Sequence, residues 1–182
     1  MTDHELIKKA KQGDRNAFEQ IVKKYESRVA ATVIGMLGQH QAAEDIGQEV
    51  FIRFYKYLHS FREDSGLGTY LTRIAINLSL NELKRRNRRQ LFFKSTDENT
   101  NEMPVKTEDS LNDYESKEIV THAVQKLEPA FRAVVVLRLI EGYSTEETAQ
   151  LLKIPLGTVL SRLSRAQKKL KEILKPYILE KV

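Results

Sequence analysis

The chain has 182 residues, 41% hydrophobic and 30% charged, which allows one medium domain or two small ones and excludes a wholly disordered chain. It contains no cysteine, and its four histidines, His4, His40, His59 and His122, are scattered, so disulfides, iron–sulfur clusters, cysteine nucleophiles and a structural zinc site are not expected. The formal net charge of +5 is unevenly divided: residues 1–94 hold 17 Lys/Arg against 11 Asp/Glu, 95–116 hold 1 against 7, and 117–182 hold 12 against 7, a pattern of two basic blocks for a polyanion around an acidic stretch that repels it.

The start, Met1-Thr-Asp-His-Glu, lacks the build of a secretory signal, and no window approaches the roughly 18 apolar residues of a membrane span. A cytoplasmic protein without membrane insertion is expected. A first helix opens at Thr2, with Glu5 at capping-box spacing, and ends near Gly13-Asp14. A second carries Phe18, Ile21, Val22, Tyr25, Val29, Val33 and Leu37 on one face, and Gly38 suits its C-terminal cap.

A third helix runs from about Ala42 to Leu58, with Ala43, Ile46, Val50, Phe54 and Tyr57 as its core stripe. Asp45, Gln48, Glu49 and Ile52 then share another stripe at i, i+3, i+4, i+7. The helical pattern places no basic partner beside these carboxylates. Such a stripe on a basic domain is either a solvated face or a docking surface for a basic protein.

The loop Phe61-Arg-Glu-Asp-Ser-Gly-Leu-Gly68 has two glycines that permit close backbone approach. The fourth helix, about Thr69 to Arg89, buries Leu71, Ile74, Ala75 and Leu78 and lines another side with Tyr70, Arg73, Asn77, Asn81 and Lys84, before the run Lys84-Arg85-Arg86-Asn87-Arg88-Arg89. Bases stack on an aromatic ring while cations take phosphates, so this side suits nucleic acid. Lys and Arg at a helix end also favour the helix dipole with no ligand at all.

Residues 95–116 have few large apolar side chains and no sustained period, so a flexible acidic linker is expected. Beyond it, a helix with Ile119, Ala123 and Leu127 stops at Glu128-Pro129, and the next carries Phe131, Val134, Val135 and Leu139 up to Gly142. Ser144 and Glu147 make a second capping box on a short helix with Ala149 and Leu152. Ile154-Pro-Leu-Gly157 breaks the chain, and a longer basic helix starts around Thr158. Short helix, turn and longer helix form a helix-turn-helix. Val159, Leu163, Ala166, Leu170 and Leu174 face inward, leaving Ser161, Arg162, Arg165, Lys168 and Lys169 outward, either to enter a major groove or as the solvated side of an amphipathic helix. The fold class is therefore all-α: two small helical domains, 1–94 and 117–182, joined by the linker 95–116.

Three segments in this order, Ala43-Glu-Asp-Ile-Gly-Gln-Glu-Val-Phe51, Thr69-Tyr-Leu-Thr-Arg-Ile-Ala-Ile-Asn77 with its arginine run, and Ser144-Thr-Glu-Glu-Thr-Ala149 followed by Gly157-Thr-Val-Leu-Ser-Arg-Leu-Ser-Arg-Ala166, give a chain that resembles the bacterial extracytoplasmic-function (ECF) type sigma factors. The resemblance covers nearly the whole chain. It implies that Asp45, Gln48, Glu49 and Ile52 dock on core RNA polymerase, on the beta-prime coiled coil with the beta subunit as further partner. It implies that Tyr70, Arg73, Asn77, Asn81, Lys84, Arg85 and Arg88 capture the minus-10 element of promoter DNA as unpaired strand, with a base flipped into a pocket at the glycine loop. Thr158, Ser161, Arg162, Arg165 and Lys169 would read the minus-35 element as duplex, and an anti-sigma factor is an implied partner. Three positions depart from the family's habit: Tyr70 stands where tryptophan is usual, Lys153 where a turn glycine is, and Leu160 where Lys or Arg is.

Two other classes compete. A conventional helix-turn-helix regulator shares the C-terminal motif but not the second matched domain. An enzyme is not expected, since no GxxxxGK, HExxH or GxSxG occurs and Glu44, Asp45 and Glu49 have no histidine neighbours to complete a metal site; no catalytic residue and no cofactor are assigned. A helical adaptor that binds only protein is the remaining reading.

Overall fold

The computed structural model describes the backbone of residues 1–94 and 113–179, with side chains for 1–91 and 118–177. Eight α-helices follow one another among the described residues, and no strand: α1 (Asp3–Lys11), α2 (Arg15–Leu37), α3 (Gln41–Tyr57), α4 (Leu67–Lys94), α5 (Asp113–Gln125), α6 (Pro129–Val135), α7 (Thr145–Leu152) and α8 (Leu156–Leu179). A 3-10 turn, Leu58–Ser60, follows α3, and a π-helical turn, Val136–Ile140, continues α6. The all-α expectation holds. Of the expected linker, residues 95–112 lie outside the described residues, while Asp113 already begins α5.

The helix starts follow from local chemistry. Thr2 Oγ1 accepts from Glu5 N at 3.3 Å while the Glu5 carboxylate accepts from Thr2 N at 2.8 Å. Ser144 and Glu147 repeat the exchange at 3.1 and 2.7 Å on α7. Asp14, expected in a turn, caps α2 by accepting from Ala17 N at 3.2 Å. Each such cap satisfies a donor the helix cannot and stabilises by about 1 kcal/mol. Gly38 ends α2 at φ +83°, where a side chain is disfavoured.

Helices α1–α4 enclose one core, in which Ile7, Ile21, Val33, Val50, Phe54, Leu58, Leu71 and Ile76 are fully buried. Phe54 lies between Phe18, at a ring-centroid distance of 6.0 Å, and Phe61, at 5.8 Å. Each large side chain so buried contributes about 1.5 to 3 kcal/mol. In α5–α8 the equivalent positions are Leu127, Val134, Leu137, Val159 and Ala166.

Two positions assigned to the core are exposed instead. Tyr57 ends α3, and the chain tightens there into the 3-10 turn, so the inward place passes to Leu58. Leu139 points outward because the π-turn, closed by Glu141 N donating to Val136 O at 2.9 Å, adds a residue to the turn and rotates Val136 and Leu137 into the core. Similarly, α4 begins at Leu67, so Gly68 sits inside the helix. Its bare Cα makes room for α2: a Cβ there would meet Arg28 Nη1 at 2.8 Å and Tyr25 Cε1 at 3.0 Å.

The two helical groups pack against each other through α2. A Cβ on Gly35 would meet Val136 Cγ2 at 3.0 Å, so the glycine eases the close approach of the π-turn. Arg132, buried, donates Nη1 to Met36 O at 2.6 Å and to Gln125 Oε1 at 2.9 Å, and Nη2 to Leu127 O at 2.9 Å and to Gln125 O. Burial pushes this guanidinium below its ordinary pKa, and the Arg86 charge adds to the effect; the ring of oxygens compensates for the lost water. Gln125 Nε2 in turn donates to Gly35 O at 2.8 Å.

Candidate docking face and nucleic-acid interfaces

On α3, Asp45 and Gln48 are exposed and Ile52 is 60% exposed, so the structure brings the expected stripe to the surface. Glu49 is half-buried and, contrary to the expectation that these carboxylates lack a basic partner, accepts from Arg53 Nε at 2.8 Å. The i,i+4 spacing makes that pair. Asp45 accepts from Gln41 Nε2 at 3.3 Å and has no ion pair among the described residues. Beside the stripe, α2 and α3 leave an apolar groove of about 320 Å³ over Val22, Ile34 and Phe51, rimmed by Glu26, Glu44 and Gln48. A second recess of about 380 Å³ is lined by Arg15, Phe18, Phe51, Ile52 and Tyr55. Glu26, Glu44 and Tyr55 were missed from sequence; Glu44 was legible as the carboxylate next to Asp45, whereas Glu26 reaches the groove only through tertiary packing. Acid rimming an apolar floor suits a basic helix with an apolar ridge.

On α4, Asn77, Asn81, Lys84 and Arg88 are exposed on the side expected. Tyr70 is half-buried, with its ring 4.7 Å from Phe61 and 6.1 Å from Phe54. It is thus held in place from behind, as a stacking surface must be. Arg73 is half-buried with Nε unpaired among the described residues. The basic run is not uniform: Arg85 pairs with Glu82 at 2.7 Å and Arg86 with the same carboxylate at 3.1 Å, whereas Lys84, Arg88 and Arg89 have no ion pair among the described residues. Glu82 is the residue that the cationic run conceals in the sequence. Its spacing to Arg85 and Arg86 made the pairing available.

In the helix-turn-helix, Lys153 ends α7 at φ +53°, ψ +48°. The left-handed conformation that a turn glycine would supply is present, but carried by a lysine. Α8 starts at Leu156, two residues before the expected Thr158, and buries Val159 and Ala166 with Leu163, Leu170 and Leu174 half-buried. Ser161, Arg165, Lys168 and Lys169 are exposed, and Arg162 and Thr158 are half-buried. Ser161 Oγ donates to Thr158 O at 3.1 Å, leaving its lone pairs for an incoming donor. The acidic face, the α4 side and the α8 side lie on three different helices.

The family described as Sigma-70 region 2 matches residues 21–89, and Sigma-70, region 4 matches residues 117–170. The RNA polymerase sigma-H factor of Pseudomonas aeruginosa is 34% identical, over 98% of this chain and 96% of its own. The chain belongs to the ECF-type sigma factors. Among its relatives are the ECF RNA polymerase sigma-E factor of Escherichia coli, 32% identical over 98% of this chain and 97% of the relative, and the sigma factor SigW of Bacillus subtilis, 32% identical over 93% and 95%. The solved complex of the sigma factor RpoE with the anti-sigma factor NepR from Bartonella quintana superposes with a TM-score of 0.68 at 25% identity, covering 87% of this chain and 96% of that one. CnrH, solved with the cytosolic domain of CnrY, shares the fold at a TM-score of 0.67 and 23% identity, covering 96% and 97%. An ECF sigma factor is a promoter-specific transcription initiation factor. The presence of both regions sets aside the reading as a conventional helix-turn-helix regulator. No helix among the described residues is long and apolar enough to cross a membrane.

Proposed function

We propose that this sigma factor docks on core RNA polymerase through Asp45, Gln48, Glu49 and Ile52 of α3 and the adjoining α2–α3 groove. The α4 side, from Tyr70 to Arg88, captures the minus-10 element as melted strand, and the α8 side, with Thr158, Ser161, Arg162, Arg165 and Lys169, reads the minus-35 duplex. The sigma factor itself performs no chemistry and needs no cofactor; bond formation belongs to the polymerase. It works in the cytoplasm with the polymerase and promoter DNA, and an anti-sigma factor holds it when idle, by analogy with the RpoE–NepR complex.

The observation that carries this reading is the division of surfaces: an acid-rimmed apolar groove on one face of the N-terminal helices, and cations without acidic partners on α4 and α8. The two promoter elements lie on the order of 85 Å apart, two and a half duplex turns, whereas α8 itself is only about 36 Å long. The packed arrangement must therefore open for both elements to be reached. The test is transcription by core polymerase on fragmented genomic DNA with and without the protein, followed by sequencing of transcript starts. Starts that depend on the protein and share two upstream motifs are expected. If the protein adds no starts, the assignment is wrong.

A further inference from the structure

Leu160 is 50% exposed and Leu156 is 43% exposed, one helical turn apart at the N-terminal end of α8. Single exposed leucines are ordinary. The setting of this pair is not: from Lys153 to Lys171 every charged side chain is a cation, namely Lys153, Arg162, Arg165, Lys168, Lys169 and Lys171, and the first acid is Glu172. No ion pair among the described residues involves α8. A face kept for water usually mixes its signs. A face of one sign is complementary to a polyanion, and the first two turns of the second helix are the part of a helix-turn-helix that enters the major groove.

Two large apolar side chains thus sit on the portion of the surface that meets base edges rather than phosphates. The edges of guanine, adenine and cytosine offer hydrogen-bonding groups there, and a leucine laid over them would strip their water and return nothing. Thymine alone presents a carbon group, its C5 methyl. Side chains on a helix lean toward its N-terminus, so Leu160 leans toward Leu156, and the two form a small apolar wall. Ser161 lies next to Leu160, with Arg165 one turn further on, so the polar readers flank the wall.

We propose that Leu160, backed by Leu156, is a specificity-determining residue that takes the C5 methyl of a thymine in the minus-35 element. The proposal rests on the reading of α8 as the minus-35 reader. Burying one methyl accounts for about fourfold in affinity, so the preference is for one base at one position.

The experiment uses the full chain bound to core polymerase. Promoters are selected from a pool randomised across the minus-35 region, and each thymine of the selected site is then replaced singly by deoxyuridine, which removes only the methyl. One position should lose about three- to fivefold in affinity on this exchange. Leu160→Ala should abolish the difference between thymine and uracil at that position alone. Leu160→Lys should shift the selected base there to guanine, whose O6 and N7 accept from an ammonium. Because Leu160 is exposed, neither variant disturbs the core. If uracil is tolerated at every position while Arg165→Ala changes the selected site, α8 reads the duplex but Leu160 does not read a methyl. If Arg165→Ala selects the same site as the parent, α8 is not the reader and both statements fall. Sensitivity to uracil that survives in Leu160→Ala also overturns the proposal.

Discussion

Arg28 on α2 and Glu141 after the π-turn form an ion pair at 3.3 Å across the two domains. The Glu141 side chain is only 7% exposed and also accepts from Thr32 Oγ1 at 2.9 Å. Arg28 Nη2 donates on to the Tyr143 hydroxyl at 2.9 Å, and that hydroxyl donates to Thr72 Oγ1 at 3.2 Å. Thr72 lies on α4, two residues from Tyr70. The contact that holds the C-terminal domain in place therefore ends on the helix proposed to open the promoter.

Glu141→Ala should weaken this interface by about 1 kcal/mol, since the bonds from Arg28 and Thr32 across it are lost while Thr32 Oγ1 still donates to Arg28 O at 3.0 Å and Arg28 still reaches solvent and the Tyr143 ring. Gly35→Leu should do more, because a Cβ there already lies 3.0 Å from Val136 Cγ2 and the rest of a leucine side chain must displace the π-turn. The double variant should show a larger radius of gyration by small-angle scattering at unchanged helical content. An unchanged radius would mean that the two domains are not held by these contacts.

The turn of the helix-turn-helix offers a second measurement. Lys153 pays the cost of a left-handed backbone, about 1 to 2 kcal/mol for a residue with a Cβ. Glycine avoids it but loses roughly 0.4 to 1 kcal/mol through the freer unfolded chain. Lys153→Gly should therefore stabilise by up to about 1.5 kcal/mol, read as a higher midpoint in denaturant with unchanged slope. A lower midpoint would show that the turn does not adopt φ +53°.

The contrast between such local features and the domain interface explains what was legible in the sequence. Both capping boxes, Gly38 and the α8 core stripe depend on residues within a few positions of one another, and each was readable. Glu49–Arg53 and Glu82 with Arg85 and Arg86 were equally local and were overlooked, because the carboxylates were read as a stripe and the arginines as a run. Tyr57 and Leu139 were misplaced because a 3-10 turn and a π-turn break the 3.6-residue period on which the assignment rested. Arg132 and Glu141 were beyond reach altogether: their partners Met36 and Arg28 are about a hundred residues away, and nothing local to either residue announces a contact with the other domain.

The α3 face should fail in a manner distinct from both DNA surfaces. Asp45→Arg with Glu49→Arg reverses the charge at two positions and leaves Arg53 facing a like charge, so binding to core polymerase should fall by at least tenfold with the α-helical spectrum intact. Ile52→Ser should weaken binding several-fold by removing an exposed apolar group without changing charge. Competition against a labelled sigma factor for limiting core polymerase measures both. Equal competition by the double variant places the docking surface elsewhere.

On α4, Tyr70 and Arg88 should separate two kinds of contact. Tyr70 packs on Phe61 and Phe54, so Tyr70→Leu is the informative change: it keeps apolar bulk against the core and removes the aromatic face. A lost stacking platform is worth about 1 to 3 kcal/mol per base, so permanganate footprinting should show promoter opening reduced by tenfold or more. Binding to the minus-35 duplex should be unchanged, since the variant keeps α8, whereas binding to a template already open at minus 10 should fall by the same stacking contribution. Arg88 has no ion pair among the described residues and lies in the last turns of α4, where the proposed role is a phosphate contact. Arg88→Ala should weaken binding to all promoters alike and reduce the slope of affinity against salt by about one. Arg85→Ala should change that slope less, because the Glu82 carboxylate at 2.7 Å already neutralises part of its charge. If Tyr70→Leu opens promoters as the parent does, the aromatic on α4 is a core residue and the melting surface lies on other side chains of the helix.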